Sequence, residues 1–182
     1  MAVSRRIIRF NATLLRPANV PGALWLFVLV PKASSGKLPT RSMVTVDGTF
    51  SGHPFQASLE PDGQGGHWLK VTKAMCEAAN VAVGDTIALS MTPVAKEPEP
   101  QVPVDLRCAL AAHPGAKAQW LAITAVARRD CIQWISSGKK AETRGKRIAT
   151  ACSMLAAGKR RICCFDRSGM YSNSMTAPTA AE

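Results

Sequence analysis

Acidic residues are scarce in this chain of 182 residues: 12 Asp and Glu stand against 23 Lys and Arg, a formal net charge of +11. That excludes an acidic disordered tail. Charged residues together make up 19%, below the usual quarter, and aromatic residues only 5%. No long apolar run exists. The longest, Ala23 to Val30, is far short of the ~20 residues that cross a bilayer. The basic start, Arg5-Arg6-Ile7-Ile8, is interrupted by Arg9 and Asn11, which argues against a secretory signal. A soluble, cytoplasmic protein without membrane contact is the expectation.

Chemical motifs are equally sparse. The six cysteines, at 76, 108, 131, 152, 163 and 164, form no C-x-x-C pair, so neither a zinc site nor a disulfide scaffold is indicated. The adjacent Cys163 and Cys164 cannot easily bridge to each other. The reading is reduced, buried thiols. His53, His67 and His113 have no metal-ligand spacing, and His67 suits a structural donor in a strand. No G-x-S-x-G or phosphate-loop pattern occurs, and Asp62 and Asp85 sit in turn contexts. No catalytic residue, metal or cofactor is identified.

What is present is a core: 47% of the residues are hydrophobic. Ile8, Phe10, Ala12 and Leu14 alternate with polar residues, the period of a half-buried strand. Leu24 to Val30 is apolar on both faces, as in a covered sheet. Pro31 to Thr40, with Lys32 and Lys37, reads as a basic loop that could hold an anion. Val44, Val46 and Phe50, then Phe55, Ala57 and Leu59, alternate again, with Asp47-Gly48 as a bend or bulge. Pro61-Asp62-Gly63-Gln64-Gly65-Gly66 is a turn, and Trp68 to Val71 a strand. Thr72 caps a short helix to about Asn80. Gly84-Asp85 turns into a strand from Thr86 to Met91. Trp25, Phe27, Phe50, Phe55 and Trp68 read as core or barrel-lining. A base-stacking platform would need them facing outward among Arg or Lys.

Pro93, Pro98, Pro100 and Pro103 mark a linker. Beyond it the period is helical. A first helix holds Leu106 to Leu110 and ends near Pro114-Gly115; a second runs from Ala116 to Ile123. Ala127, Cys131, Trp134 and Ile135 define a third, stopped by Gly138. Ala141, Gly145, Ile148, Cys152 and Leu155 define a fourth, ended by Gly158. The fold class is α+β: a small closed β-barrel with one short helix over 1–92, a linker over 93–104, a basic helical appendage over 105–158, and a loose tail over 159–182 that adds some contacts. Residues 106–182 carry 13 basic and 4 acidic groups, so the appendage holds most of the excess charge.

Val30-Pro31-Lys32, Leu38, Arg41, Val46, Gly48-Thr49, Gly52 and Phe55 resemble the opening of domain of unknown function 1905. Gly65 to Lys73 and Val83-Gly84-Asp85-Thr86-Ile87 fit the same family. The resemblance implies a small double-split barrel, the fold of AbrB-type transcription regulators. That family tends to place a basic residue near Met75-Cys76, where this chain has none. Arg128-Arg129, Trp134-Ile135 and Glu142-Thr143-Arg144-Gly145-Lys146-Arg147-Ile148 resemble the YdeI/OmpD-associated helical segment. The resemblance implies an architecture; the family name speaks of bacteriocin protection and a porin.

Lys140, Arg144 and Arg147 share one helix face, and Arg128, Arg129 and Lys139 precede them. Arginine forks suit phosphate or carboxylate. The expected activity is non-enzymatic: binding of an anionic partner, with a nucleic-acid backbone as the leading example. The alternative is a small-molecule binder or enzyme, with a phosphate or carboxylate held in a groove between barrel and helices by Arg41, Thr143, Arg144 and Arg147. A bland reading competes with both: the arginines pair with Asp130 or the linker glutamates. Monomer and homodimer are both open, although six strands in one chain favour a self-contained barrel.

Overall fold

The computed structural model describes residues 6–18, 20–138, 140–161 and 176–181. They divide into two compact units, residues 1–95 with 175–182, and residues 96–174.

The first unit has six strands: β1 (Ile8–Thr13), β2 (Leu26–Val30), β3 (Val44–Phe50), β4 (His53–Pro61), β5 (His67–Val71) and β6 (Thr86–Pro93). All pairings are antiparallel, in the order β1-β6-β3-β4-β5-β2. Leu15 and Phe27 exchange two backbone hydrogen bonds of 2.9 Å, which nearly closes the barrel. Alternation does what the sequence implies. Ile8, Val28, Val46, Leu69, Ile87 and Leu89 fill the interior, while Arg9, Asn11, Asp47 and Ala88 face out. Gly48 sits where β3 and β6 pass closely: a Cβ there would stand 2.0 Å from the Ser90 carbonyl oxygen. Only glycine fits without moving backbone.

Two short helices attach to the barrel. α1 (Lys32–Ser35) occupies part of the expected loop. Its anchor is His67, 1% exposed. His67 Nε2 donates to the Ser42 carbonyl oxygen at 2.9 Å, so Nδ1 accepts from the Ser35 hydroxyl at 2.6 Å. Both ring nitrogens are thereby satisfied in a structural role. α2 (Lys73–Ala79) begins where expected, with Thr72 Oγ1 accepting from the Met75 amide. Asn80, left-handed at φ 50°, ends it.

The second unit packs four helices: α3 (Val104–Ala112), α4 (Pro114–Ala122), α5 (Ala125–Ser136) and α6 (Ala141–Ala156). Pro114, expected to end a helix, opens α4 at a position where its missing N–H costs nothing. The core contains Leu106, Leu110, Trp120, Cys131, Trp134, Ile135, Ile148, Cys152 and Leu155, with Val102 packed against it. Most of the expected linker, from Lys96 on, therefore belongs to the helical unit. Of the expected tail, residues 176–181 return to the barrel unit: Ala177 N donates to Asp62 O, Ala18 N to Thr179 O and Ala181 N to Arg16 O.

Candidate anion-binding site

The helical unit supplies most of the residues expected to bind an anion, and it gives most of them internal partners. Arg128 and Arg129 follow the Thr124 cap of α5. Arg128 Nη1 donates to Glu99, and its Nη2 to the Ile123 carbonyl oxygen at 3.0 Å, where α4 leaves carbonyls unpaired. Arg129 is 2.8 Å from Glu97 and 2.9 Å from Asp130. The Pro-rich stretch is thus a strap whose glutamates clasp α5.

The Glu-Thr-Arg-x-x-Arg-Ile run on α6 is organised in the same way. Arg144 makes a two-pronged contact with Asp105 on α3, Nε to Oδ2 at 2.6 Å and Nη2 to Oδ1 at 3.0 Å. The Arg144 hydrogen bond holds the Asp105 carboxyl below the usual carboxylate range. Arg147 Nη1 donates to the Trp134 carbonyl oxygen and to Ser137 Oγ, both at 2.6 Å. Its guanidinium stands 5.3 Å from the Trp134 ring centroid. Lys146 pairs with Glu142 on the solvent face, and Ile148 enters the core.

The expected constellation is therefore redistributed. Arg128 and Arg129 pair with the linker glutamates and Asp130, which is the bland reading of these residues, and Arg144 pairs with Asp105, a partner that reading did not name. Arg147 bonds the end of α5. Lys140 is exposed at the start of α6 and Thr143 is half-buried. Arg41 belongs to the other unit, beside the turn that holds Gly65. Lys139 lies outside the described residues. Lys159, Arg160 and Arg161, assigned from the sequence to a loose tail, form a further group of cations. All three are exposed and make no ion pair among the described residues. They leave α6 through Gly158 at φ +80°, with Lys159 N bonded to Met154 O at 3.0 Å. Gln119 Nε2 on α4 donates to the Gly158 carbonyl oxygen at 3.1 Å. The signal available was the position of three cations just past a helix C-terminus, where the dipole favours positive charge.

Residues 10–91 match the family described as domain of unknown function (DUF1905), and residues 99–158 match the one described as bacteriocin-protection, YdeI or OmpD-associated. The chain joins a DUF1905 domain to a YdeI/OmpD-associated domain. No curated protein matches it. In the YdeI/OmpD-associated domain, the Glu-Thr-Arg-x-x-Arg-Ile residues act as an internal bracket linking α3, α5 and α6. In the DUF1905 domain, Phe50 and Phe55 serve the barrel core, as expected. Phe27 and Trp68 are buried but lie outside that core cluster. Their rings meet edge-to-face at 6.2 Å, Trp25 lies 6.2 Å from Trp68, and Lys70 Nζ stands 4.7 Å from the Trp25 ring. Phe27 and Trp68 are thus core residues, as expected, on the strand faces opposite Val28 and Leu69, while Trp25, just before β2, is half-buried. Among the described residues no group of three His, Cys, Asp or Glu is placed to hold a metal, and no helix is long and apolar enough to cross a membrane.

Proposed function

We propose that the protein is a binding module rather than an enzyme, and that it engages an anionic partner, a nucleic-acid backbone, through Lys159, Arg160 and Arg161. One observation carries this reading. The arginines of α5 and α6 have partners within their own unit, whereas these three exposed cations have no carboxylate partner among the described residues. Unneutralised cations release counterions from a phosphate backbone and leave base identity unread. A partner-binding role agrees with the word "associated" in the description of the second family.

The test is fluorescence anisotropy with labelled duplex and single-stranded oligonucleotides over a range of salt. The expected result is sequence-tolerant binding that weakens steeply with salt, at a log–log slope corresponding to about three phosphate contacts. The K159A/R160A/R161A variant should lose most of it, while Lys146→Ala, which removes an already paired surface cation, should not. Absence of binding at low salt with micromolar protein, or unchanged binding by the triple variant, overturns the proposal.

A further inference from the structure

A second polar constellation stands on the barrel, unrelated to the helical cations. On the outward face of β1, β6 and β3 the register aligns Arg9 with Ser90 and Ser90 with Thr49. Three polar side chains from three neighbouring strands thus stand in one row. Asn11 occupies the next outward position of β1, opposite Ala88. A methyl there leaves a floor with nothing to fill it. Gly52, at φ +86° in the β3–β4 turn, forms part of the rim and has no side chain to close it. The result is a shallow depression of about 340 Å³, at the small end of ligand sites.

None of the four polar side chains makes a hydrogen bond or ion pair among the described residues. Polar side chains on a sheet face usually satisfy one another across strands, as Thr45 and Ser58 do here at 2.9 Å. The nearest outward carboxylate on these strands, Asp47, is two residues from Thr49 and accepts from Gln56 Nε2 at 2.7 Å. Among the described residues Arg9 is the one charged group lining the depression.

We propose that Arg9, Asn11, Thr49 and Ser90 form a binding site for a small polyol carrying one oxyanion, a sugar phosphate or sugar acid. One guanidinium matches one oxyanion. Two hydroxyls and an amide both donate and accept, as a polyol's hydroxyls require. Strands about 4.8 Å apart spread the row over about 10 Å, wider than a phosphate group alone and suited to a hexose-sized molecule. The site lies within the barrel unit and does not depend on the helical cations.

The experiment is amide chemical-shift mapping on the full chain with glucose 6-phosphate, gluconate, glucose and inorganic phosphate at millimolar concentrations. Glucose 6-phosphate, gluconate or both should produce saturable shifts centred on Arg9, Asn11, Thr49 and Ser90, and which of them binds tighter tells phosphate from carboxylate. Arg9→Gln should weaken binding about tenfold or more. Ala88→Leu, which fills the floor from an exposed position, should abolish it while the spectrum stays that of the folded barrel. Four outcomes overturn the proposal: no localised shift with either charged sugar, glucose binding as tightly as its phosphate, inorganic phosphate binding as tightly as the sugar phosphate, or Arg9→Gln leaving affinity unchanged.

Discussion

Cys131 shows how far a single side chain follows its surroundings. It is 2% exposed in the core between α5 and α6, and Cys152, equally buried, is in the same cluster. Desolvation, then the neighbouring Cys152 and Asp130, push its thiol up to about 12 from 9.0. The folded state therefore holds the proton more tightly than the unfolded chain. That contribution to stability is fully present below pH 9 and is lost as pH rises toward 12. Denaturant unfolding of the helical unit at pH 8 and pH 11 should show a loss on the order of 2 kcal/mol from this group. Cys131→Ala should remove that increment from the pH dependence, whatever it does to stability at pH 8. At pH 8, iodoacetamide should modify the exposed Cys108 and spare Cys131 and Cys152 until the unit unfolds. Modification of Cys131 in the folded protein at the rate of Cys108 would contradict the assignment.

The elements divide by how their information is carried. Strand alternation and the 3.6-residue period are local, so β1, β3, β6, α2, α5 and α6 were legible from the sequence. α1 was not. Its four residues have no period, and it is held by His67, a residue 32 positions from Ser35. The candidate site was half legible for the same reason. Arginines that seek oxyanions can be recognised one by one, but their partners Glu99, Glu97 and Asp105 stand 29, 32 and 39 positions away from Arg128, Arg129 and Arg144. Charge counted along the chain split these acids from the bases they neutralise. Arg147 gives the sharpest test at this scale. It donates to a carbonyl at the C-terminal end of α5 and to Ser137 beside it, so α6 closes the end of α5. Arg147→Ala should cost about 1.5–3 kcal/mol in denaturant unfolding, the range for hydrogen bonds from a charged donor. Lys146→Ala, one position away on the solvent face, should cost at most about 0.5 kcal/mol. Equal effects from the two substitutions would mean that the bracket does not hold the helices.

At the scale of the whole molecule, the chain's last described residues matter more than their composition suggests. Thr176 to Ala181 are small and uncharged, without the period of a helix or strand, so nothing local marks them as structured. Yet their backbone bonds reach two separate parts of the barrel unit, Asp62 after β4 and residues 16–18 after β1. Pro17 and Ala180 form a β-bridge, so the segment is added to the barrel unit through main-chain hydrogen bonds. Such contacts are individually worth about 0.5–1.5 kcal/mol, and local opening removes them before the barrel unfolds. Hydrogen exchange separates the two events. In the intact chain the Ala18 amide, bonded to Thr179 O at 2.8 Å, should be protected, and so should the Leu15 amide, bonded to Phe27 O at 2.9 Å. Truncation after residue 175 should bring Ala18 to the rate of an open amide while Leu15 stays protected, with barrel stability lowered by about 1–3 kcal/mol. If Ala18 exchanges equally slowly in both chains, the returning segment is not held to the barrel unit by these hydrogen bonds. If Leu15 is exposed along with Ala18, the segment is instead an integral part of the barrel's closure.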